Sequence, residues 1–348
     1  MSDAVVLGYL ACLTAVTTLA ALLAALARAP LRNTVGARAA YWLWLAVPVS
    51  AFALTLPHIG RGDANPAAAG PDFIGWVWAR MAVLIESAHV SLPFAEAACA
   101  VWAVGVATVL ALMVLRQRAF IRSLGILVPL PDGTWRSGGV TEPMLIGVLR
   151  PRVLVPLDFE RHYSAEEREF VLAHERAHMR RRDTLVNGLG ALWLCVFWYN
   201  PVMFWAVRLL RFDQDLACDA AVLAAAGRGR RGRYAEALLK AQLAGESGLA
   251  LPLACHWGTA HPLRRRIAAL RRPVPGRVRH AIGILCASTL VATASLAART
   301  VQPASLIAPP ADAHAEANSA AAARHAAGKV CPLALRRARE RQKARTRA

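Results

Sequence analysis

The sequence predicts a mainly α-helical membrane protein, with about four transmembrane helices and a cytoplasmic α+β domain inserted before the last of them. Three observations carry this. Hydrophobic residues make up 56% of the 348 and the mean hydropathy is positive, a composition too apolar for an ordinary soluble domain. Uncharged apolar runs occupy 4–27, 39–57, 97–115, 184–207 and 281–298, and a helix needs roughly 18 such residues or more to cross a hydrocarbon layer. Between the third run and the last, the pattern changes to strand-like alternation and capped helices.

In chain order, 1–115 is expected to form a three-helix membrane region. The first run follows Asp3 and has no basic leader. Arg28, Arg32 and Arg38 come after it where a small-residue cleavage site would stand, so it reads as a retained helix and not a signal peptide. Those arginines, with Arg116, Arg118 and Arg122 after the third run, are expected in the cytoplasm, because short Arg-rich loops stay inside. The N-terminus and the 58–92 loop then lie outside. The formal net charge of +19 is read as arginines bordering spans and meeting anionic head groups of the bilayer, so no direct nucleic-acid partner is expected. The seven cysteines are scattered without a CxxC pair, which supports neither a disulfide framework nor a thiolate metal site.

The domain is expected over 116–280. The stretch MLIGVLRPRVLVP at 144–156 alternates apolar residues between Gly and Pro and reads as a strand pair. Ser164 and Glu167 have the spacing of a capping box, which starts a helix near Ala165 and carries it to about Arg182. Another helix runs through RLLRFDQDLACDAAVLAAAG until Gly227, Gly229 and Gly232 stop it, and a further one covers 233–244. Residues 245–280 are less regular and end in the basic cluster Arg264, Arg265, Arg266, Arg271 and Arg272. The last span is expected at 281–298, followed by a low-complexity basic tail over 299–348.

The helix beginning at Ala165 contains HERAH, in which His174 and His178 are four apart and so share a face. Both can offer a ring nitrogen to one zinc ion, while Glu175, one step round, is placed to act as general base. A third ligand must come from elsewhere. DQDLACD offers Asp213, Asp215 and Asp219. Asp215 and Asp219 share a helix face, so that one can bind the metal and the other accept the second ring proton of a liganding histidine.

HERAH followed by RRRD, then FWYNPVMFWAVRLLR, then D-x-x-ACD-x-AVL, resembles the integral-membrane zinc peptidases of the beta-lactam sensor-transducer type, the BlaR/MecR family. LIGVLRPRVLVP, RYAEALL and VWAVG add to the resemblance, which covers roughly 95–270. It implies a gluzincin-like zinc-protease domain in the cytoplasm at a bacterial inner membrane, with His174 and His178 as ligands, Glu175 as base and a third ligand from the ACD segment. Asp215 stands where the family usually has glutamate, one methylene longer, and is assigned as that ligand, with Asp219 behind a histidine. The resemblance also implies a protein substrate, such as the chain itself or a DNA-binding repressor. Ser-x-x-Lys is not found after Ala298, so beta-lactam sensing is not expected.

If 184–207 crossed the bilayer, it would separate His174 and His178 from Asp215. Asn200-Pro201 interrupts the run, and proline disfavours helix at the residue before it. A hairpin with both ends cytoplasmic is therefore expected. Two other functions remain open on the residues: a non-catalytic membrane adaptor that keeps the fold without metal, and a housekeeping membrane protease of the HtpX kind.

Overall fold

The computed structural model describes residues 3–56, 92–244, 255–256, 263–271 and 276–300. The expected outer loop as far as residue 91 and the basic tail beyond residue 300 lie outside the described residues. Among the described residues, four stretches are long and apolar enough to cross a membrane: Val6–Val35, Ala37–Thr55, Phe94–Ser123 and Val278–Leu296.

Helix α1 (Asp3–Val35) does not end at Ala27. It passes through Pro30, so that 28–35 is helix and not the expected loop. The arginines there have partners inside the fold, described below, and do not need water. Gly36, at φ 103°, breaks the chain before α2 (Ala37–Trp42). A single 3-10 turn, Leu43–Leu45, then leads into α3 (Ala46–Thr55). The change of helix type puts Pro48 in the first turn of α3, where its missing N–H leaves no bond unmade. Helix α4 (Leu92–Ser123) runs on past the expected end of its span.

After α4 the chain forms a small sheet of β1 (Val128–Pro129), β2 (Trp135–Arg136), β3 (Met144–Ile146), β4 (Arg152–Val155) and β5 (Cys255–His256), in the order β1-β2-β4-β3-β5. β3 and β4 are the antiparallel pair read from the Gly and Pro punctuation, with Leu145 opposite Val153. Gly147 turns at φ 90°, a conformation that costs glycine nothing. Buried Leu145 and Val153 pack on Leu172 and Met179 of α6 (Ala165–Arg181), so the sheet backs the histidine helix. A short helix, α5 (Phe159–His162), comes just before it.

The capping box forms: Ser164 Oγ accepts from the Glu167 N–H, and the Glu167 carboxylate accepts from the Ser164 N–H at 2.7 Å. Arg182 ends α6 in the left-handed region at φ 57°.

The fifth apolar run is two helices, α7 (Asp183–Val196) and α8 (Pro201–Ala226). Pro201 opens α8, and Asn200 caps it by accepting from the Val202 N–H at 3.0 Å. At the bend the Val202 N–H is thus satisfied by the Asn200 side chain and the Asn200 N–H by the Phe197 carbonyl, within the protein as an apolar surrounding requires. At the tip, Tyr199 Oη lies 2.6 Å from Thr14 Oγ1, and the Asn200 amide donates to Thr18 Oγ1 at 2.8 Å. The hairpin therefore lies alongside α1 and reaches about the middle of its span. Trp102 and Trp198 lock it to α4: each indole donates to a carbonyl on the other side, Val196 and Trp102 respectively. A Cβ at Gly105 would collide with the Trp198 ring. Leu194, Phe197, Met203 and Ala206 share one core with Ala20, Ala24, Leu43 and Trp44 of the membrane helices.

Helices α9 (Arg231–Ala244) and α10 (Leu263–Leu270) complete a second core, in which Phe170 and Val171 meet Val222, Tyr234, Leu238 and Leu270. The last described helix, α11 (Arg277–Thr300), packs back on the membrane helices through Ala287.

Candidate metal centre

Helix α6 places His174 and His178 one turn apart on its buried face, with ring nitrogens Nε2 and Nε2 3.1 Å from each other. α8 brings Asp215 to the same point, its Oδ1 3.6 Å from His178 Nε2. The three ligand atoms all lie within 4.8 Å of one another. Ligand atoms about 2.0–2.2 Å from a tetrahedral ion stand about 3.4 Å apart, so the cluster is the right size for one. Two imidazoles and a carboxylate, with a fourth position open, are also a donor set that suits such an ion. The aspartates are not the solvated helix face that their neighbours Arg208 and Arg211 would allow: Asp213, Asp215 and Asp219 are all buried.

Glu175 is fully buried beside these groups, and neither carboxyl oxygen has a hydrogen-bond partner among the described residues. Buried polar atoms without partners are costly and rare. A water held by a cation in the cluster would satisfy them. Burial pushes the Glu175 pKa up to about 8, and the Asp215 carboxylate adds to the rise. Burial likewise lowers the pKa of His174 to about 3, leaving the ring neutral, as a metal ligand must be.

The second nitrogens of the two rings are held by different groups. His174 Nδ1 lies 3.2 Å from Asp219 Oδ1 and 3.1 Å from the Tyr234 hydroxyl. Tyr234 donates to Asp219 Oδ1 at 2.6 Å, and Arg266 donates to both Asp219 oxygens at 2.9 and 2.7 Å. Burial works against the charge of Asp219, but the Arg266 guanidinium and His174 hold its pKa well below the usual carboxylate range. His178 Nδ1 lies 2.8 Å from Asp183 Oδ2. An acceptor on Nδ1 fixes the proton there and leaves Nε2 free to bind a cation.

Asp183, Tyr234 and Arg266 were not singled out by the sequence. Arg266 stood in a cluster assigned to the membrane border, whereas here it is 1% exposed and bound to Asp219. Asp213, a candidate ligand, is not in the cluster; it faces Arg28 and Trp44. A second group, His178, Asp183 and Cys218, also has metal-ligand spacing. It suits a cation less well. The 2.8 Å separation of His178 Nδ1 and Asp183 is that of a hydrogen bond, and burial pushes the Cys218 thiol up, favouring its protonated form.

Residues 9–270 match the model of a family described as BlaR1 peptidase M56. The chain belongs to that family. It is therefore similar to peptidases, and together with its apolar helices this marks a membrane protein of the BlaR1 peptidase M56 type. The regulatory protein BlaR1 of Bacillus licheniformis is 33% identical over 105 residues, 30% of this chain and 17% of the relative. The methicillin resistance MecR1 protein of Staphylococcus aureus, and that of Staphylococcus epidermidis, are 26% identical over 107 residues, 31% of this chain and 18% of the relative. Each match thus spans under a fifth of the relative's length.

Proposed function

We propose that the chain is a zinc-dependent membrane endopeptidase in which His174, His178 and Asp215 hold the ion and Glu175 is the general base. The observation that carries this is the Glu175 carboxyl, buried and without a hydrogen-bond partner among the described residues, next to a three-ligand cluster. When bound, zinc supplies Lewis acidity and lowers the pKa of water to roughly 7. Glu175 then takes the proton from the attacking water and returns it to the amide nitrogen as the peptide bond breaks. Asp219 and Asp183 keep the two rings in the tautomer and orientation that the ion needs.

The site faces the cytoplasm of a bacterial inner membrane in this reading, with Arg116, Arg118 and Arg122 on the same side. The substrate is the chain itself or a cytoplasmic regulator such as a DNA-binding repressor, a reading supported by the regulatory relatives.

Glu175→Gln should keep one zinc per chain and lose proteolysis. The test compares cellular proteins between cells carrying wild type and Glu175→Gln, looking for one fragment that disappears. Equal cleavage by the variant removes the base assignment. Purified wild type without stoichiometric zinc would favour the non-catalytic adaptor, and broad cleavage of misfolded membrane proteins the housekeeping protease.

A further inference from the structure

The segment RFDQD at 211–215 ends in Asp215, and the three residues before that aspartate all meet the first two membrane helices. The guanidinium groups of Arg28 and Arg32 lie over the Phe212 ring, 5.9 and 6.0 Å from its centre. Asp213 Oδ1 accepts from Arg28 at 2.9 Å and from Arg32 at 3.4 Å, and its Oδ2 accepts from the Trp44 indole at 2.9 Å. The Gln214 amide donates to the Tyr41 hydroxyl at 3.5 Å. Tyr41 in turn donates to Asp183 Oδ1 at 3.4 Å, and Asp183 holds His178. Arg181 stacks on Tyr41, 4.3 Å above the ring.

Arg28 and Asp213 are 8% and 1% exposed. A charge buried in or near a membrane segment is costly unless paired, and such residues mark function more often than scaffold. Asp213 stands two residues from a candidate ligand, and helical residues two positions apart point about 200° from each other. Asp213 can therefore be gripped from the membrane side while Asp215 faces the histidines.

We infer that Arg28 and Trp44 are positioning residues for the metal centre, acting through Asp213 on Asp215, with Tyr41 acting through Asp183 on His178. This rests on the zinc assignment made above. Two ligands of the ion are then set by where α1 and α2 stand, and a displacement of those helices changes the grip on the ion without any contact to it.

The test uses the full chain in detergent micelles, with zinc affinity read by competition against a chromophoric chelator and the thermal midpoint of the metal-free protein read beside it. Arg28→Ala should weaken zinc binding about tenfold or more, the range for lost supporting contacts, and Arg28→Lys should recover part of that by restoring the charge. Trp44→Phe, which removes one N–H donor, should shift affinity in the same direction. Thr14→Val is the comparison: it removes another polar contact between α1 and the hairpin, at Tyr199, and should leave zinc affinity unchanged. If Arg28→Ala does not fold, Trp44→Phe against Thr14→Val decides. Wild-type affinity in Trp44→Phe, or equal weakening in Thr14→Val, overturns the inference. A wild type that binds no zinc overturns the functional assignment and the inference with it.

Discussion

His174 and His178 lie one turn apart on the same helix, yet the groups behind them come from different parts of the molecule. Behind His174 stand Asp219, Tyr234 and Arg266, from α8, α9 and α10, with Tyr234 and Arg266 both bound to Asp219 and Tyr234 part of a core that includes none of the membrane helices. Behind His178 stands Asp183, which opens α7 and reaches Tyr41 of α2. One ring is braced by the domain's own interior, the other by a chain of contacts that ends among apolar spans. The difference separates fold from geometry. Damage behind His174 should strike stability first, whereas damage behind His178 should strike metal binding first.

The largest expected effect is on the His174 side. Arg266→Ala leaves the buried Asp219 carboxylate without its bidentate partner, and breaking a buried pair from one side costs about 3–5 kcal/mol. A denaturant titration of the metal-free protein in micelles should show it. A loss below about 1 kcal/mol would mean that this brace is not structural. Next comes Asp183→Ala, expected to weaken zinc about 10–100-fold while moving the metal-free midpoint much less than Arg266→Ala does. Chelator competition reads it, and the two variants together break the comparison if their effects are the same in kind. Tyr234→Phe is smaller again. It removes one O–H donor to Asp219 but leaves Arg266 in place, so about 1 kcal/mol of stability should go, with zinc affinity falling less than in Asp183→Ala.

The sequence makes some of this plain and hides the rest for physical reasons. Ser164 with Glu167, Asn200 before Pro201, and Gly147 in the strand pair act on their own neighbours, so their effect is readable locally and the structure has the corresponding cap, bend and turn. The spacing of His174 and His178 is local in the same sense. Arg266 is not, because its partner lies 47 residues away and a run of arginines looks uniform until the helix face is drawn. Leu263, Arg266 and Leu270 have the spacing of one helical stripe, and a charge on an apolar stripe is a signal for a buried partner. Tyr234 carries the same signal, sharing its stripe with Ala237, Leu238 and Ala241, since a buried phenol needs an acceptor. Spacing alone does not decide Asp213 against Asp215; the resemblance to the family is what picks out Asp215. Which of the two faces the histidines depends on where α1 stands, and Arg28 and Arg32 read as a loop because their partner lies more than 180 residues away.

The smallest effect tests whether exposed charges add anything to these two braces. Arg230 and Arg233, around the start of α9, bind Glu166 and Glu169 in the first turns of α6, at 2.6 to 2.9 Å for the shortest contact of each pair. The hydrogen bonds from Arg230 lower the pKa of both carboxylates below their ordinary range. A carboxylate lowered in the folded state contributes stability that is present above its unfolded value, about 4.3 for glutamate. That contribution is lost as pH falls through the folded value. Arg230→Ala should therefore lower the thermal midpoint slightly at pH 7 and progressively less below pH ~4. It should also cost less at 1 M salt, because exposed ion pairs are screened and weak. Zinc affinity should not change, since these groups hold the far end of α6 and touch neither His174 nor His178. A variant that lost metal as readily as Asp183→Ala would show that α6 is positioned from its N-terminus, and the contrast between the two braces would then describe only half of what holds the histidines.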